Sequence, residues 1–261
     1  MNIHDWQKMK VAGEKISMVT CYDYTSARLL AQTQVNCLLV GDSVAMTMHG
    51  HPDTLSATLA MMALHTAAVR RGAGNTFIVS DLPFMSYRKS LTSNMDAVQT
   101  LVQAGAHAVK LEGATGNLKF IRHVVDSGVP VMGHLGLTPQ FIHQLGGYKV
   151  QGKTASAAER ILADALALQD AGCFAVVLEC VPGDLAAKVT QSLNIPSVGI
   201  GAGAATDGQV LVWQDLLGFN TDFKPRFVKH YLSGAEIITT ALNKYVDTVN
   251  SGAFPSHEHR Y

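Results

Sequence analysis

Short apolar runs of four to six residues recur along the chain, each bounded by glycine, proline or polar residues. Such runs are typical of strands that are buried on both faces of a parallel sheet. They predict eight strands, at residues 16–21, 37–40, 76–79, 107–111, 129–132, 174–178, 197–200 and 210–213.

Between these runs, apolar residues recur at helical spacing. In the segment 94–104, for example, Met95, Val98 and Leu101 fall on one face, and Gly105 ends the pattern. This periodicity predicts helices at residues 5–10, 25–34, 56–71, 94–104, 118–127, 155–171 and 185–192, with one or two more over 228–250.

Two segments lack a clear period and are predicted to be loops. Residues 45–55 follow the second strand, and the glycine-rich segment 133–153 follows the fifth. Long loops at the carboxyl ends of strands are more often functional than idle, so we expect both to line a site. The sequence Gly-Ile-Gly-Ala-Gly at 199–203 suggests a backbone cradle for an anion, although such a run is a weak signal by itself.

The alternation of strands and helices indicates a parallel sheet. Eight such repeats in 261 residues favour closure into one (β/α)8 TIM barrel domain over residues 1–261. An open doubly wound sheet would gather its polar residues at one switch point, whereas here they follow five successive strands.

Composition narrows the range of partners and locations. Twenty basic and twenty acidic residues balance, and no basic tract favours a nucleic acid partner. The polar start of the chain lacks the apolar core of a signal peptide, and no apolar run reaches the roughly 18 residues of a membrane helix. We therefore expect a cytoplasmic protein. Its four cysteines form no C-x-x-C pair and are expected to be buried free thiols.

Three acidic residues stand at or near the carboxyl ends of predicted strands: Asp42, Asp81 and Glu112. Carboxylates gathered at one barrel mouth repel one another, and a hard divalent cation such as Mg²⁺ would hold them together. An ion-pair network with nearby basic residues is the structural alternative. No His or Cys spacing resembles a zinc site.

Three further candidate site residues are Lys110, His134 and Glu179. Lys110 shares a strand face with Glu112, and it could form a Schiff base with a ketone or bind a substrate carboxylate; a nearby metal favours the second role. Glu179 ends an apolar strand, and charge-poor surroundings would make its carboxylate a general base. His134 could donate a hydrogen bond to a substrate oxygen. Each of the three could instead have only a structural role.

The chain resembles the ketopantoate hydroxymethyltransferase family over nearly its whole length. The motifs that carry the resemblance include L-L-V-G-D-S at 38–43, S-D-L-P-F-M-S-Y at 80–87, A-V-K-L-E-G at 108–113, P-V-M-G-H-L-G-L-T-P-Q at 130–140, L-G-G-Y-K-V-Q-G at 145–152 and V-V-L-E-C-V-P at 176–182. The resemblance implies a barrel of the phosphoenolpyruvate/pyruvate-binding group and an assembly of ten identical subunits.

The resemblance also implies residue roles. Asp42, Asp81 and Glu112 match a magnesium site, and Glu179 matches the proton acceptor. Asp42, Ser43, Asp81 and Lys110 match positions that contact the 2-oxo acid. The implied reaction transfers a hydroxymethyl group from 5,10-methylenetetrahydrofolate to 3-methyl-2-oxobutanoate through a magnesium-stabilised enolate and yields 2-dehydropantoate.

Three rival functions use the same residues. A metal-dependent carbon–carbon lyase or mutase acting on a 2-oxo acid would need no folate. A Schiff-base aldolase would form a covalent adduct at Lys110. A non-catalytic sensor would bind a metal–oxo acid complex without turnover.

Overall fold

The computed structural model describes residues 1–221 and 225–261 of the chain. Eight parallel strands form a closed barrel in which each strand pairs with the next in sequence and β8 pairs with β1. The predicted (β/α)8 barrel is therefore confirmed. The strands are β1 Ile16–Thr20, β2 Cys37–Val40, β3 Phe77–Asp81, β4 Ala108–Glu112, β5 Val131–Gly136, β6 Ala175–Glu179, β7 Ser197–Ile200 and β8 Gly208–Leu211.

Helices precede, connect and follow the strands. In chain order they are α1 Ile3–Ala12, α2 Tyr24–Leu30, α3 Val44–Thr47, α4 Leu59–Gly72, α5 Leu91–Gln103, α6 Leu118–Asp126, α7 Ile142–Leu145, α8 Ala155–Asp170, α9 Gly183–Ser192, α10 Trp213–Leu216 and α11 Gly234–Asn250. Short 3₁₀ turns occur at Thr54–Ser56, Pro139–Phe141 and His257–His259.

Polar residues at the helix starts explain where several helices begin. The Asp23 side chain accepts from the Ser26 amide at the start of α2, and Thr58 and Ser90 cap α4 and α5 in the same way. Each cap satisfies an amide that has no partner inside the helix, which stabilises the helix by about 1 kcal/mol.

The end of the barrel at the amino termini of the strands is filled by α1. The Trp6 side chain is fully buried there and packs edge-on against Phe174, with ring centroids 5.4 Å apart. Apolar side chains therefore fill the barrel interior at this end, and the polar inward-facing residues lie at the opposite end, where the strands finish.

Both predicted loops contain regular structure. β5 continues to Gly136 because glycine at 133 permits close packing: a Cβ there would lie 2.7 Å from Leu168 Cδ1 on α8. The 3₁₀ turn Pro139–Phe141 and α7 follow within the same predicted loop. The loop predicted at 45–55 overlaps α3 and a 3₁₀ turn.

Contacts between Cα atoms divide the chain into two compact units, Met1–Leu211 and Val212–Tyr261. The first unit contains all eight strands, and the second contains α10 and α11. That residues 1–261 form one domain stays a prediction. The four cysteines are free, as predicted, and Cys180 alone among them is only partly buried. Within the described residues, no helix is long and apolar enough to cross a membrane.

Candidate active site

Alternate residues of each strand point into the barrel. The inward positions nearer the strand starts are apolar and form one buried cluster that includes Phe77, Val79, Ala108, Met132 and Val177. The same alternation, continued to the strand ends, places five polar side chains on the inner face: Asp81, Lys110, Glu112, His134 and Glu179. The polar residues predicted from sequence therefore share one mouth of the barrel.

Asp42 and Asp81 lie side by side although they are 39 residues apart. The Asp42 amide donates to Asp81 Oδ2 over 3.1 Å, and both side chains are buried. Burial raises the pKa of Asp42 well above its usual range, and the carboxylates of Asp81 and Glu112 raise it further. Burial likewise raises the pKa of Asp81. Two buried carboxylates at this distance repel each other, and a bound cation would reduce that repulsion.

Lys110 partly compensates these acids. It is paired in register with Asp81 across β3 and β4, and its Nζ lies 3.1 Å from Asp81 Oδ1. Burial opposes the charge of Lys110, but Asp81, Glu112 and Asp42 together raise its pKa. The three carboxylates therefore favour the ammonium form of Lys110, whereas a Schiff base needs the neutral amine.

His134 connects two carboxylates. Its Nδ1 lies 3.4 Å from Glu112 Oε1, and its Nε2 lies 3.2 Å from Glu179 Oε2. Burial and Lys110 disfavour the charged ring, but contacts with Glu112 and Glu179 raise the pKa of His134 to about 9. The sequence predicts charge-poor surroundings for Glu179, whereas the structure places a titratable side chain, His134, 3.2 Å from its Oε2.

Ser43 follows Asp42 at the start of α3. Its Oγ lies 2.8 Å from the hydroxyl of Tyr22, a buried residue that follows β1 and to which the sequence analysis assigned no role. Burial raises the pKa of this Tyr22 hydroxyl to about 12. The carbonyl of Tyr22 contacts His65 Nδ1, and His65 Nε2 lies 2.9 Å from His49 Nε2. This chain of contacts joins the segment after β2 to α4.

The segment after β5 contributes further residues that sequence reasoning missed. Gln140 is buried and contacts Asp42, while the Tyr148 hydroxyl lies 3.7 Å from Met46 Sδ on α3. Burial raises the pKa of Tyr148, and Asp53, Glu179 and Asp42 add to the effect. Both residues belong to motifs quoted above, but neither has a spacing that would mark it as functional. The anion cradle at 199–203 stays a prediction.

The donor set fits a hard divalent cation. Asp81 Oδ1 is buried and accepts no well-aligned hydrogen bond within the described residues, despite the nearby Lys110 ammonium. Across residues 1–221 and 225–261, however, no group of three or more His, Cys, Asp or Glu side chains is arranged so that it could hold a metal ion. Each acid is held by a neighbouring side chain. Lys110 contacts Asp81, Gln140 contacts Asp42, and His134 contacts Glu112. The three carboxylates would therefore have to move for all of them to bind one ion.

Comparisons with known proteins agree with the resemblance. Residues 1–257 match the profile of a family described as ketopantoate hydroxymethyltransferase. A protein of Bdellovibrio bacteriovorus named 3-methyl-2-oxobutanoate hydroxymethyltransferase is 60% identical over 259 residues, which are 99% of this chain and 98% of that protein.

Solved structures with low sequence identity share the fold. A crystal structure of 2,3-dimethylmalate lyase, of the PEP mutase/isocitrate lyase superfamily, has a TM-score of 0.60 at 15% identity and covers 99% of this chain and 90% of its own. A structure of phosphonopyruvate hydrolase with oxalate and Mg²⁺ has a TM-score of 0.63 at 10% identity, covering 99% and 93%. Both structures share the barrel architecture of this chain.

Proposed function

The chain belongs to the ketopantoate hydroxymethyltransferase family, and from this premise we propose that it transfers a hydroxymethyl group from 5,10-methylenetetrahydrofolate to 3-methyl-2-oxobutanoate. The product is 2-dehydropantoate, on the route to pantothenate and coenzyme A. One observation supports the proposal above all: the partly exposed carboxylate of Glu179 lies 3.2 Å from the buried ring of His134, next to the buried acids Asp81 and Glu112.

Asp42, Asp81 and Glu112 would hold a Mg²⁺ ion, one per subunit, through carboxylate oxygens. When bound, the ion supplies Lewis-acid polarisation of the 2-oxo acid. Lys110 adds a fixed positive charge next to Asp81, where the carboxylate of the substrate would be neutralised. The Ser43 hydroxyl, held by Tyr22, supplies a neutral hydrogen-bonding group at the same rim.

Glu179 is the proposed base because it alone among the four acids keeps substantial exposure, with 18% of its side chain accessible. It removes the proton from C3 of 3-methyl-2-oxobutanoate and leaves an enolate. Water adds to the one-carbon unit that folate carries as an iminium, and cleavage of its C–N bond releases formaldehyde and tetrahydrofolate. The electron pair at C3 then attacks the formaldehyde carbon, and the carbonyl oxygen takes up a proton to become the hydroxyl of the product.

His134 contacts the proposed base, Glu179. The ring contacts Glu112 through Nδ1, which also lies 3.3 Å from Lys110 Nζ, and contacts Glu179 through Nε2, so His134 helps to orient both carboxylates. Its positive charge and that of Lys110 favour the negative charge that develops on the substrate. Donation of a hydrogen bond from His134 to a substrate oxygen would require His134 to release one of its two acids.

Proton abstraction at C3 is tested by exchange in deuterated water, followed by NMR. Glu179→Gln keeps the size of the side chain but removes the base, so we expect exchange to slow by roughly 10² to 10⁴. The exposed Glu159→Gln on α8 is the matched control and should exchange like the wild type. Unchanged exchange in Glu179→Gln would remove Glu179 from this role.

Turnover with and without 5,10-methylenetetrahydrofolate separates the proposal from a lyase or mutase, which would form product without folate. Borohydride trapping with substrate would label Lys110 only in a Schiff-base aldolase. Full activity in excess chelator would refute the proposed metal requirement.

The proposal includes a homo-oligomer, a decamer by family resemblance, in the cytoplasm. Support comes from α11, where four apolar side chains at helical spacing, Ile238, Leu242, Tyr245 and Val249, are each at least 43% exposed. Such a stripe is typical of a surface that another protein surface covers. Light scattering of the purified protein tests the assembly, and a monomer at micromolar concentration would contradict it.

A further inference from the structure

Gln140 touches two acids of the candidate metal site at once. Its side-chain Nε2 donates to Asp42 Oδ2 over 2.8 Å, and its backbone amide donates to Glu112 Oε2 over 3.0 Å. The residue lies in the 3₁₀ turn after β5 and is 4% exposed. A single buried residue from the turn after β5 therefore links Asp42, which follows β2, to Glu112, which ends β4.

The orientation of the Gln140 amide is fixed by its other partners. Nε2 also donates to the carbonyl of Leu82 over 3.0 Å, and Oε1 accepts from the Tyr87 hydroxyl over 2.6 Å. A flipped amide would place its oxygen against the Asp42 carboxylate and the Leu82 carbonyl, which both offer only acceptor oxygens. Tyr87 is itself buried, and its oxygen accepts from the Glu112 amide over 3.4 Å.

A neutral donor suits this position. A lysine or arginine would neutralise Asp42 and compete with a bound cation, whereas an amide orients the carboxylate and leaves its negative charge in place. The Asp42 carboxylate has a second oxygen, Oδ1, that could bind a cation while Oδ2 stays hydrogen-bonded to Gln140. Residues that orient ligands in this way commonly change metal affinity 10- to 100-fold when they are removed.

We propose that Gln140 is a positioning residue that holds Asp42 and Glu112 ready to bind the divalent cation, with Tyr87 fixing its amide. The inference rests on the proposed function, because it assumes that these acids bind the cation. Gln140 acts through the two acids and has no contact with the reacting atoms.

The test measures Mn²⁺ affinity of the substrate-free protein by electron paramagnetic resonance, with Mg²⁺ competition. Gln140→Met keeps the side-chain volume but removes the amide, and we expect its dissociation constant to rise at least tenfold. Tyr87→Phe keeps the ring and loses the hydroxyl, so a smaller rise of a fewfold is expected. Gln169→Ala, which removes an amide that accepts from Asn194 before β7, is the matched control and should bind like the wild type.

Kinetics of C3 exchange provide the second readout. In Gln140→Met the metal concentration for half-maximal rate should rise, while the rate at saturating metal stays within a fewfold of wild type. A lower saturating rate with unchanged metal affinity would overturn the positioning role. Wild-type affinity in both variants would overturn it as well, with the proposed function intact. A wild-type protein that binds no divalent cation would overturn both proposals.

Discussion

Removal of one negative charge from the acids Asp42, Asp81 and Glu112 should make the metal-free protein more stable. It should also abolish the rise in Tm that a bound metal ion causes. Asp42 is 5% exposed and faces Asp81 and Glu112, which together with burial raise its pKa. Because folding raises the pKa of Asp42, the ionised form of this carboxyl lowers the stability of the folded protein at neutral pH. Asp42→Asn keeps the shape and an oxygen that can accept from Gln140, but it removes this charge.

The size of the metal effect follows from mass action. A divalent cation at 100 times its dissociation constant stabilises the folded state by about 2.7 kcal/mol. For a chain of 261 residues, an unfolding entropy of about 2 cal/mol/K per residue converts this gain to a rise in Tm of roughly 5 °C. The same Mg²⁺ concentration should leave the Tm of Asp42→Asn within about 1 °C of its metal-free value.

Differential scanning calorimetry with and without Mg²⁺ provides the measurement. We expect the metal-free Tm of Asp42→Asn to equal or exceed that of the wild type. Glu159→Gln, which removes an exposed acid from α8, is the control and should keep the full metal-induced rise. A lower metal-free Tm in Asp42→Asn, or a retained response to metal, would refute the reasoning that charge repulsion at this mouth is what a cation relieves.

Three further predictions concern stability. Gly136→Ala should lower the free energy of unfolding in urea by at least about 2 kcal/mol, because φ is +91° and a Cβ would collide with the carbonyl of Glu179. The loss should be smaller for Gly128→Ala, where φ is +89° and no atom lies within 4 Å of the added Cβ. Trp6→Ala should lower the unfolding free energy in urea by about 3 to 5 kcal/mol, and a loss below 1 kcal/mol would contradict its role in filling the barrel end. The His134 pKa of about 9 exceeds its unfolded value, so its stabilising effect is complete below pH 6.5 and is lost as pH rises through 9. Metal-free wild type should therefore lose roughly 3 kcal/mol relative to His134→Gln between pH 6.5 and 9.5, and parallel urea curves would exclude this effect.

The barrel could be predicted because its determinants are local. Strands buried on both faces read as continuous apolar runs, and polar caps and glycines mark the helix ends. The predicted end of a strand is wrong where residues typical of loops lie inside the strand. β5 includes Gly133 and Gly136, which look like loop residues, yet the strand continues there because α8 packs closely against it.

The sequence by itself determined the barrel class and the chemical identity of the site, because an acid, lysine or histidine at the end of a buried strand has no role in apolar packing. Only the tertiary structure decided which side chains meet. Register pairs Lys110 with Asp81 and Glu112 with His134, and the turn after β5 brings Gln140 to Asp42, 98 residues earlier in the chain. Such contacts depend on barrel closure and strand register, which arise from the packing of the whole chain and leave no local pattern in its sequence.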